Sequence, residues 1–386
     1  MSVTSPAGFV ATGVACGIKD NGGLDLAVVA TADRRPVTAV AVFTANKATA
    51  APVQVSRAHL AASENRAAAV VLNSGNANAA TGVAGVEHAE RTCAVAATPL
   101  GCAAQEVLVC STGLIGIPLP VDRIEKALPG AVSELHPRGG PAAARAIMTT
   151  DTVPKEVAVV ADGFTVGGMA KGAAMLAPDM ATMLAVLTTD AGAERDVLQR
   201  LLREAVDRSF NALTVDGCTS TNDTVILLAS DHTSPDSTKL GDALGRACTE
   251  LAMAMADDAE GATKVVHVVV EGAASDDEAR RGARAIAESQ LVKCSFFGED
   301  PYWGRVVSEL GACGITFELD RVAVTYGDVT VCRGGVAVDH DAVALRRHMT
   351  GRHLRLVADL GLGTGRGHVI TNDLTYGYID ENKGTS

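Results

Sequence analysis

Short apolar runs that stop abruptly in turns of glycine, asparagine and serine constrain this chain more than any other feature. Residues 68–72 run into Asn73-Ser74-Gly75-Asn76-Ala77-Asn78, and residues 107–109 run into Cys110-Ser111-Thr112-Gly113. Runs of this length with such stops read as strands, and the turn residues tolerate backbone angles that leave N–H groups at a strand end. Residues 85–97 read as a helix of small residues with its charges on one face. Val197, Leu198, Leu201, Leu202, Ala205 and Val206 then recur at the helical period, with Arg195, Arg200, Arg203 and Asp207 opposite. Leu240, Leu244, Ala247, Leu251 and Met255 form a second such stripe, and 224–228, 265–270, 322–325 and 329–332 read as further strands.

Strands and helices therefore mix throughout, without a repeat period or a Pro/Ser-rich linker. The 386 residues suffice for two domains of ordinary size or for one large core with an appended lobe. The expected organisation is a main α/β domain over 1–271 and a smaller C-terminal lobe over 272–386, because the least committed stretch is Gly272 to Glu278. The apolar fraction is 47% but aromatics are 3%, so the core must be built from Ala, Val and Leu, and stacking of nucleic-acid bases has little to work with.

The net charge of −12, with no dense Lys/Arg run and Arg280, Arg281 and Arg284 spaced as a wet helix face, argues against nucleic acid as a partner. No stretch approaches the roughly 18 apolar residues of a membrane span, and the N-terminus lacks a basic segment followed by an apolar one. A cytoplasmic protein without a membrane partner is expected. The nine cysteines are odd in number and scattered without a CxxC pair, so buried thiols of a reducing compartment are expected rather than disulfides or zinc. Asp257, Asp258 and Glu260 have no clustered His or Cys to complete a metal set, and no metal or cofactor is expected. Gly361, Gly363, Gly365 and Gly367 alternate like a phosphate loop but lack its lysine and spacing; turns are the expected reading.

The segment from Lys171 to Ala185 places one hydroxyl, that of Thr182, among small and apolar residues. Most threonines in such a setting are ordinary strand or helix positions whose hydroxyl bonds to the backbone. A nucleophile needs a base, and no histidine lies near in sequence. The base can instead be the α-amino group of a threonine that has become N-terminal, whose pKa of roughly 8 suits proton transfer near neutrality. It arises if the hydroxyl attacks the carbonyl of Ala181, shifting the acyl group from nitrogen to oxygen, and water then releases Thr182.

Lys171-Gly172, Met175-Leu176-Ala177-Pro178 and Met180-Ala181-Thr182-Met183-Leu184 together resemble the self-cleavage segment of the ornithine acetyltransferase family, the bifunctional glutamate N-acetyltransferases of arginine biosynthesis. The resemblance runs through essentially the whole chain. It includes Leu72 to Ala79, Ser111 to Gly116, Ala146 to Thr152, Ser220 to Thr224, Asp258 to Gly261 and Phe297 to Pro301. Ala174 stands where the family usually carries glycine, Tyr302 replaces a usual asparagine, and the tail after Asn382 is one residue shorter than in many relatives.

The resemblance implies an α/β fold of two stacked β-sheets between helix layers, split into chains 1–181 and 182–386 that stay together as a heterotetramer, two copies of each. It implies acetyl transfer from N-acetylornithine to glutamate by a ping-pong route through acetyl-Thr182. Thr112 and Gly113 match the oxyanion hole, Lys171 a substrate-binding lysine, Thr149 a substrate-contacting hydroxyl, and Glu260 the carboxylate for the substrate's amino end. Asn382 and Ser386 match C-terminal residues that close the site. An amidase or aminopeptidase with the same self-generated nucleophile is the rival enzyme, an uncleaved binding protein the rival of another class, and use of acetyl-CoA as a second donor stays open.

Overall fold

A computed structural model of the chain describes residues 1–175, 177 and 183–383. They form two compact units, Met1–Asn211 with Cys218–Met255, and Ala212–Gly217 with Ala256–Ser386.

The strands of the first unit are β1 (Phe9–Val14), β2 (Leu26–Thr31), β3 (Val37–Phe43), β4 (Arg66–Ala67), β5 (Ala69–Asn76), β6 (Val107–Leu114), β7 (Lys155–Ala161), β8 (Phe164–Lys171), β9 (Leu184–Ala191) and β10 (Thr224–Thr233). Its helices are α1 (Ala51–Ala62), α2 (Gly82–Leu100), α3 (Val121–Ser133), α4 (Gly140–Ala146), α5 (Arg195–Arg208) and α6 (Ser237–Asp257). The strands make a four-stranded sheet in the order β1-β2-β5-β6 and a six-stranded one in the order β4-β3-β10-β9-β8-β7.

Phe9, Val29, Leu72 and Leu108 of the first sheet share a core with Leu184, Val186, Ile226 and Leu228 of the second, so the sheets are stacked face to face. On the outer side of the first sheet, Val28, Val71 and Val109 pack against Cys93 and Ala96 of α2 and Ile124 and Leu128 of α3. On the outer side of the second, α5 packs against β3, and Leu251 of α6 lies against the Gly168–Leu187 pair of β8 and β9. The expected sandwich of two sheets between helix layers is therefore the fold of this unit. Strands buried on both faces read as continuous apolar runs rather than alternating ones, which is why 68–72 and 107–109 stand out in the sequence. Leu26, Leu72 and Leu108 are fully buried, and truncating any of them to alanine costs about 2–5 kcal/mol.

The second unit holds β11 (Val265–Ala273), β12 (Ala323–Tyr326), β13 (Val329–Arg333), β14 (Val336–Ala337), β15 (His353–Asp359) and β16 (Gly365–Asn372) in one sheet of order β14-β13-β12-β15-β11-β16. Its helices are α7 (Asp276–Glu288), α8 (Gln290–Phe297), α9 (Trp303–Ala312), α10 (Ala342–Met349) and α11 (Tyr376–Asn382). Val266, Val268 and Val270 of β11 meet Ala283 and Ile286 of α7, Phe296 of α8 and Leu310 of α9 in its core.

Three expectations change here. The main segment of the second unit starts at Ala256 rather than at 272, and Ala212–Gly217 joins it, because β11 pairs with β15 on one side and β16 on the other and so belongs to the middle of this sheet. Gly365 and Gly367 are not turn residues but part of β16. A Cβ on either would overlap backbone atoms of Ser275 or Arg280, so these glycines let α7 lie directly on the strand. Of the nine cysteines Cys93, Cys110, Cys248 and Cys332 are buried, but Cys218 and Cys294 are exposed. Tyr302, the departure from the resembled pattern, carries the Arg305 guanidinium over its ring at 5.5 Å.

Candidate active site

Strand β5 pairs in parallel with β6, with Ser74 opposite Thr112, Gly75 opposite Gly113 and a bulge at Asn76. Gly113 has φ 134°, and a Cβ there would overlap Gly75 C and Asn76 N, so only glycine lets the two strand ends approach this closely. A buried relay fixes the bulge: Ser111 Oγ donates to Asn73 Oδ1 at 2.6 Å, and Asn73 Nδ2 donates to Asn76 O at 2.8 Å. Asn222 Nδ2 adds bonds to Ala77 O at 2.6 Å and Ser111 O at 2.9 Å. Thr112 is buried and Gly113 exposed, so the expected oxyanion pair is a rigid strand end at the border of interior and solvent.

Lys171 ends β8 and is buried, not solvated. Its Nζ lies 3.9 Å from Asp151 Oδ2. Asp151 Oδ1 accepts from buried Lys155 Nζ at 2.6 Å and from Gly172 N at 2.8 Å, while Oδ2 accepts from Thr149 N at 2.9 Å. Burial alone would push the Asp151 carboxyl up; Lys171 and Lys155, with the Lys155 and Thr149 hydrogen bonds, outweigh it and hold the group well below the usual carboxylate range. Thr149 is thus tied to Lys171 through Asp151.

Lys19 joins these two clusters. A Cβ on Gly75 would lie 3.3 Å from Lys19 Cγ, which puts the lysine stem against the strand end that faces Gly113. Burial pushes its ammonium down, with Asp25 and Asp151 pulling it up and Lys171 adding to the fall. A chain of net charge −12 therefore sets two buried lysines, Lys155 and Lys171, on one carboxylate, while the Lys19 Nζ donates to Leu24 O at 2.8 Å.

Ala181, Thr182 and Ser386 lie outside the described residues. On either side of the segment, β8 and β9 are neighbours, with Lys171 opposite Leu184. Met183 is buried, and its N–H donates to Asp223 Oδ1 at 2.9 Å.

In the second unit Glu260 is buried and accepts from Asn382 Nδ2 at 2.7 Å, so two expected substrate residues meet. Asp257, three residues before Glu260, pairs with His353 at 3.3 Å. Glu260 lines a cavity of about 150 Å³ with Asp216, Glu288, Lys293, Asn372 and Tyr378. Lys293 donates to Thr371 Oγ1 at 2.9 Å, and burial pushes its ammonium down to about 8 against the pull of Asp216, Asp373 and Glu288.

A family model described as the ArgJ family matches residues 10–384. The chain belongs to the ArgJ family. It is 47% identical over 389 residues to the arginine biosynthesis bifunctional protein ArgJ of Streptomyces avermitilis, covering all of both chains. To the protein of that name from Mycobacterium tuberculosis H37Rv it is 46% identical, over all of this chain and 96% of the relative. Among solved structures it is similar to ornithine acetyltransferase from M. tuberculosis complexed with ornithine, with 49% identity and a TM-score of 0.44 over 46% of this chain and 94% of that one. The arginine biosynthesis bifunctional protein argJ of Bacillus halodurans follows with 33% identity and a TM-score of 0.49, over 51% of this chain and 96% of that one.

In this ArgJ-family chain the sequence singled out Lys171 and Thr149 but not Lys155 and Lys19, and Asp151, Asn222 and Asp223 entered only as motif letters. Lys155 opens β7 and Asp223 immediately precedes β10, positions where a buried polar group needs a partner from elsewhere in the chain. That signal was available; the partner's identity was not.

Proposed function

We propose that this ArgJ-family chain is a glutamate N-acetyltransferase that takes acetyl from N-acetylornithine and passes it to glutamate through acetyl-Thr182. The pairing of buried Lys155 and Lys171 on Asp151, with Lys19 against the Gly75–Gly113 strand end, in an acidic protein, carries this reading. Both substrates bear an α-carboxylate, and a buried lysine in low dielectric is a strong local donor for one.

The bond between Ala181 and Thr182 breaks first, leaving Thr182 with a free amine as its own base. Thr182 Oγ attacks the acetyl carbonyl of N-acetylornithine, and its proton goes to the amine. The oxyanion is met by the Thr112 hydroxyl and the Gly113 N–H, and its collapse expels ornithine, whose leaving nitrogen takes the proton. Glutamate's amine then attacks the acetyl ester and leaves as N-acetylglutamate. Lys171 holds the α-carboxylate, Thr149 contacts the substrate, Glu260 receives the amino end of ornithine, and Asn382 and Ser386 close over it.

The two fragments stay together because the sheet order interleaves them. In β4-β3-β10-β9-β8-β7 the middle pair belongs to 182–386 and both flanking pairs to 1–181. Two copies of each fragment complete the assembly. No helix among the described residues is long and apolar enough to cross a membrane.

Relatives matched over their full length carry the arginine-biosynthesis name, which favours transfer over the amidase reading. Incubation with N-acetylornithine and glutamate tests this: N-acetylglutamate should appear in step with ornithine. Acetate release without N-acetylglutamate would reject it.

A further inference from the structure

Strand β11 runs between β15 and β16, and its Val266, Val268 and Val270 belong to the core of the second unit. His267, Val269 and Glu271 therefore share the opposite face of the sheet. Three strands furnish that face with basic groups. Parallel pairing sets Arg355 beside His267 and His353 beside Val265, and antiparallel pairing sets His368 beside Val269. His267, His353, Arg355, Arg366 and His368 line a cavity of about 590 Å³, the size of a small-molecule site. None of the residues assigned to acetyl transfer lines it.

Charge is sorted along this face. Glu271 and Asp359 stand side by side at one end, where Glu271 Oε2 lies 3.9 Å from Arg366 Nε and Asp359 Oδ1 accepts the Gly361 N–H at 2.9 Å. At the other end Asp257 pairs with His353 at 3.3 Å and with Arg352 at 3.8 Å. Asp276 also lines the cavity, with its Oδ1 on the Arg366 N–H at 2.9 Å. Between these acids Arg355 is exposed, and its guanidinium makes no hydrogen bond or ion pair among the described residues.

Like charges directly opposite one another destabilise a sheet, yet Arg355 and His267 face each other across the β11–β15 pair. Burial holds the His267 imidazole below the usual histidine value, and His353, His368 and Arg355 push it the same way against Asp257. A chain of net charge −12 thus reverses its sign locally, and a bound anion would relieve the repulsion. The histidines do not form a metal centre: no group of His, Cys, Asp and Glu among the described residues is placed to hold an ion. An oxyanion suits the same groups, because the guanidinium fork matches paired carboxylate or phosphate oxygens and each imidazole adds an N–H.

We propose that this face of the second unit binds a small anion carrying two or more negative charges on phosphate or carboxylate oxygens, held by the Arg355 guanidinium with His267 and His368 beside it. Arg366 and His353, already near acids, border the site.

Isothermal titration calorimetry of the purified protein with inorganic phosphate and, separately, with citrate tests this at about pH 6.5, where histidines are partly protonated. At least one anion should bind with a Kd below about 1 mM. Phosphate alone would assign the site to phosphoryl ligands, citrate alone to polycarboxylates. Arg355→Gln should weaken binding about tenfold or more and leave acetyl transfer at the wild-type rate. Arg203→Gln, at an equally exposed arginine of α5 in the first unit, should change nothing. His368→Gln, read in the same way, decides the matter should Arg355→Gln lose the wild-type melting temperature. The proposal is overturned if neither anion binds, if the cavity variants bind as tightly as the wild type, or if Arg203→Gln weakens binding as much as they do.

Discussion

The Nζ of Lys171 lies 3.9 Å from Oδ2 of Asp151, with both side chains buried. Lys155 takes the other oxygen at 2.6 Å, so one carboxylate serves two buried cations. Asp151→Ala would strand both charges in the interior and should cost about 3–5 kcal/mol, read from urea unfolding.

The same carboxylate sets an acid limit. Because its folded pKa lies below its unfolded one, its stabilisation is in place above about pH 4 and is lost as pH falls through the folded value. Stability measured from about pH 5 downward should fall with acid in the wild type, and this component of the slope should be missing in Asp151→Asn.

Thr112 and Gly113 separate chemistry from packing. Thr112→Ala should lower kcat for N-acetylglutamate formation by about 100- to 1000-fold, the cost of one oxyanion donor, with little change in melting temperature. Gly113→Ala should lose activity and also about 1–3 kcal/mol of stability, because its Cβ overlaps Gly75 and Asn76.

These positions also show what a sequence can carry. Strands β5 and β6 were legible because burial on both faces makes continuous apolar runs, and α5 and α6 because one apolar stripe repeats at the helical period. Nothing in the sequence marks Lys171 as buried, since the carboxylate that lets it be buried reaches it only through the fold. Gly365 and Gly367 looked like turns because the helix pressed on them, α7, comes from an earlier part of the chain. The edge of the second unit was hidden for a related reason: β11 finds its partners, β15 and β16, only near the end of the chain.

Lys293 gives a pH signature opposite to that of Asp151. Its folded pKa of about 8 lies below the unfolded lysine value, so the folded protein sheds a proton first and stability rises between about pH 8 and about pH 10. Lys293→Met should abolish that rise in denaturant midpoints, and an unchanged rise would assign it to another group.

Cleavage should not separate the fragments, because β9 stays paired with β8 and β10 with β3. Size-exclusion chromatography under native conditions should give one peak containing both fragments, and only denaturant should resolve them. Two native peaks would contradict the interleaved sheet.

A covalent acetyl on Thr182 is the intermediate of the proposed transfer, and the mass of the fragment that begins there reads it directly. After brief incubation with N-acetylornithine in the absence of glutamate, the 182–386 fragment should gain one acetyl group, and glutamate should remove it. A chain that remains a single 39.4 kDa species, or a fragment that never carries acetyl while ornithine is released, would contradict it.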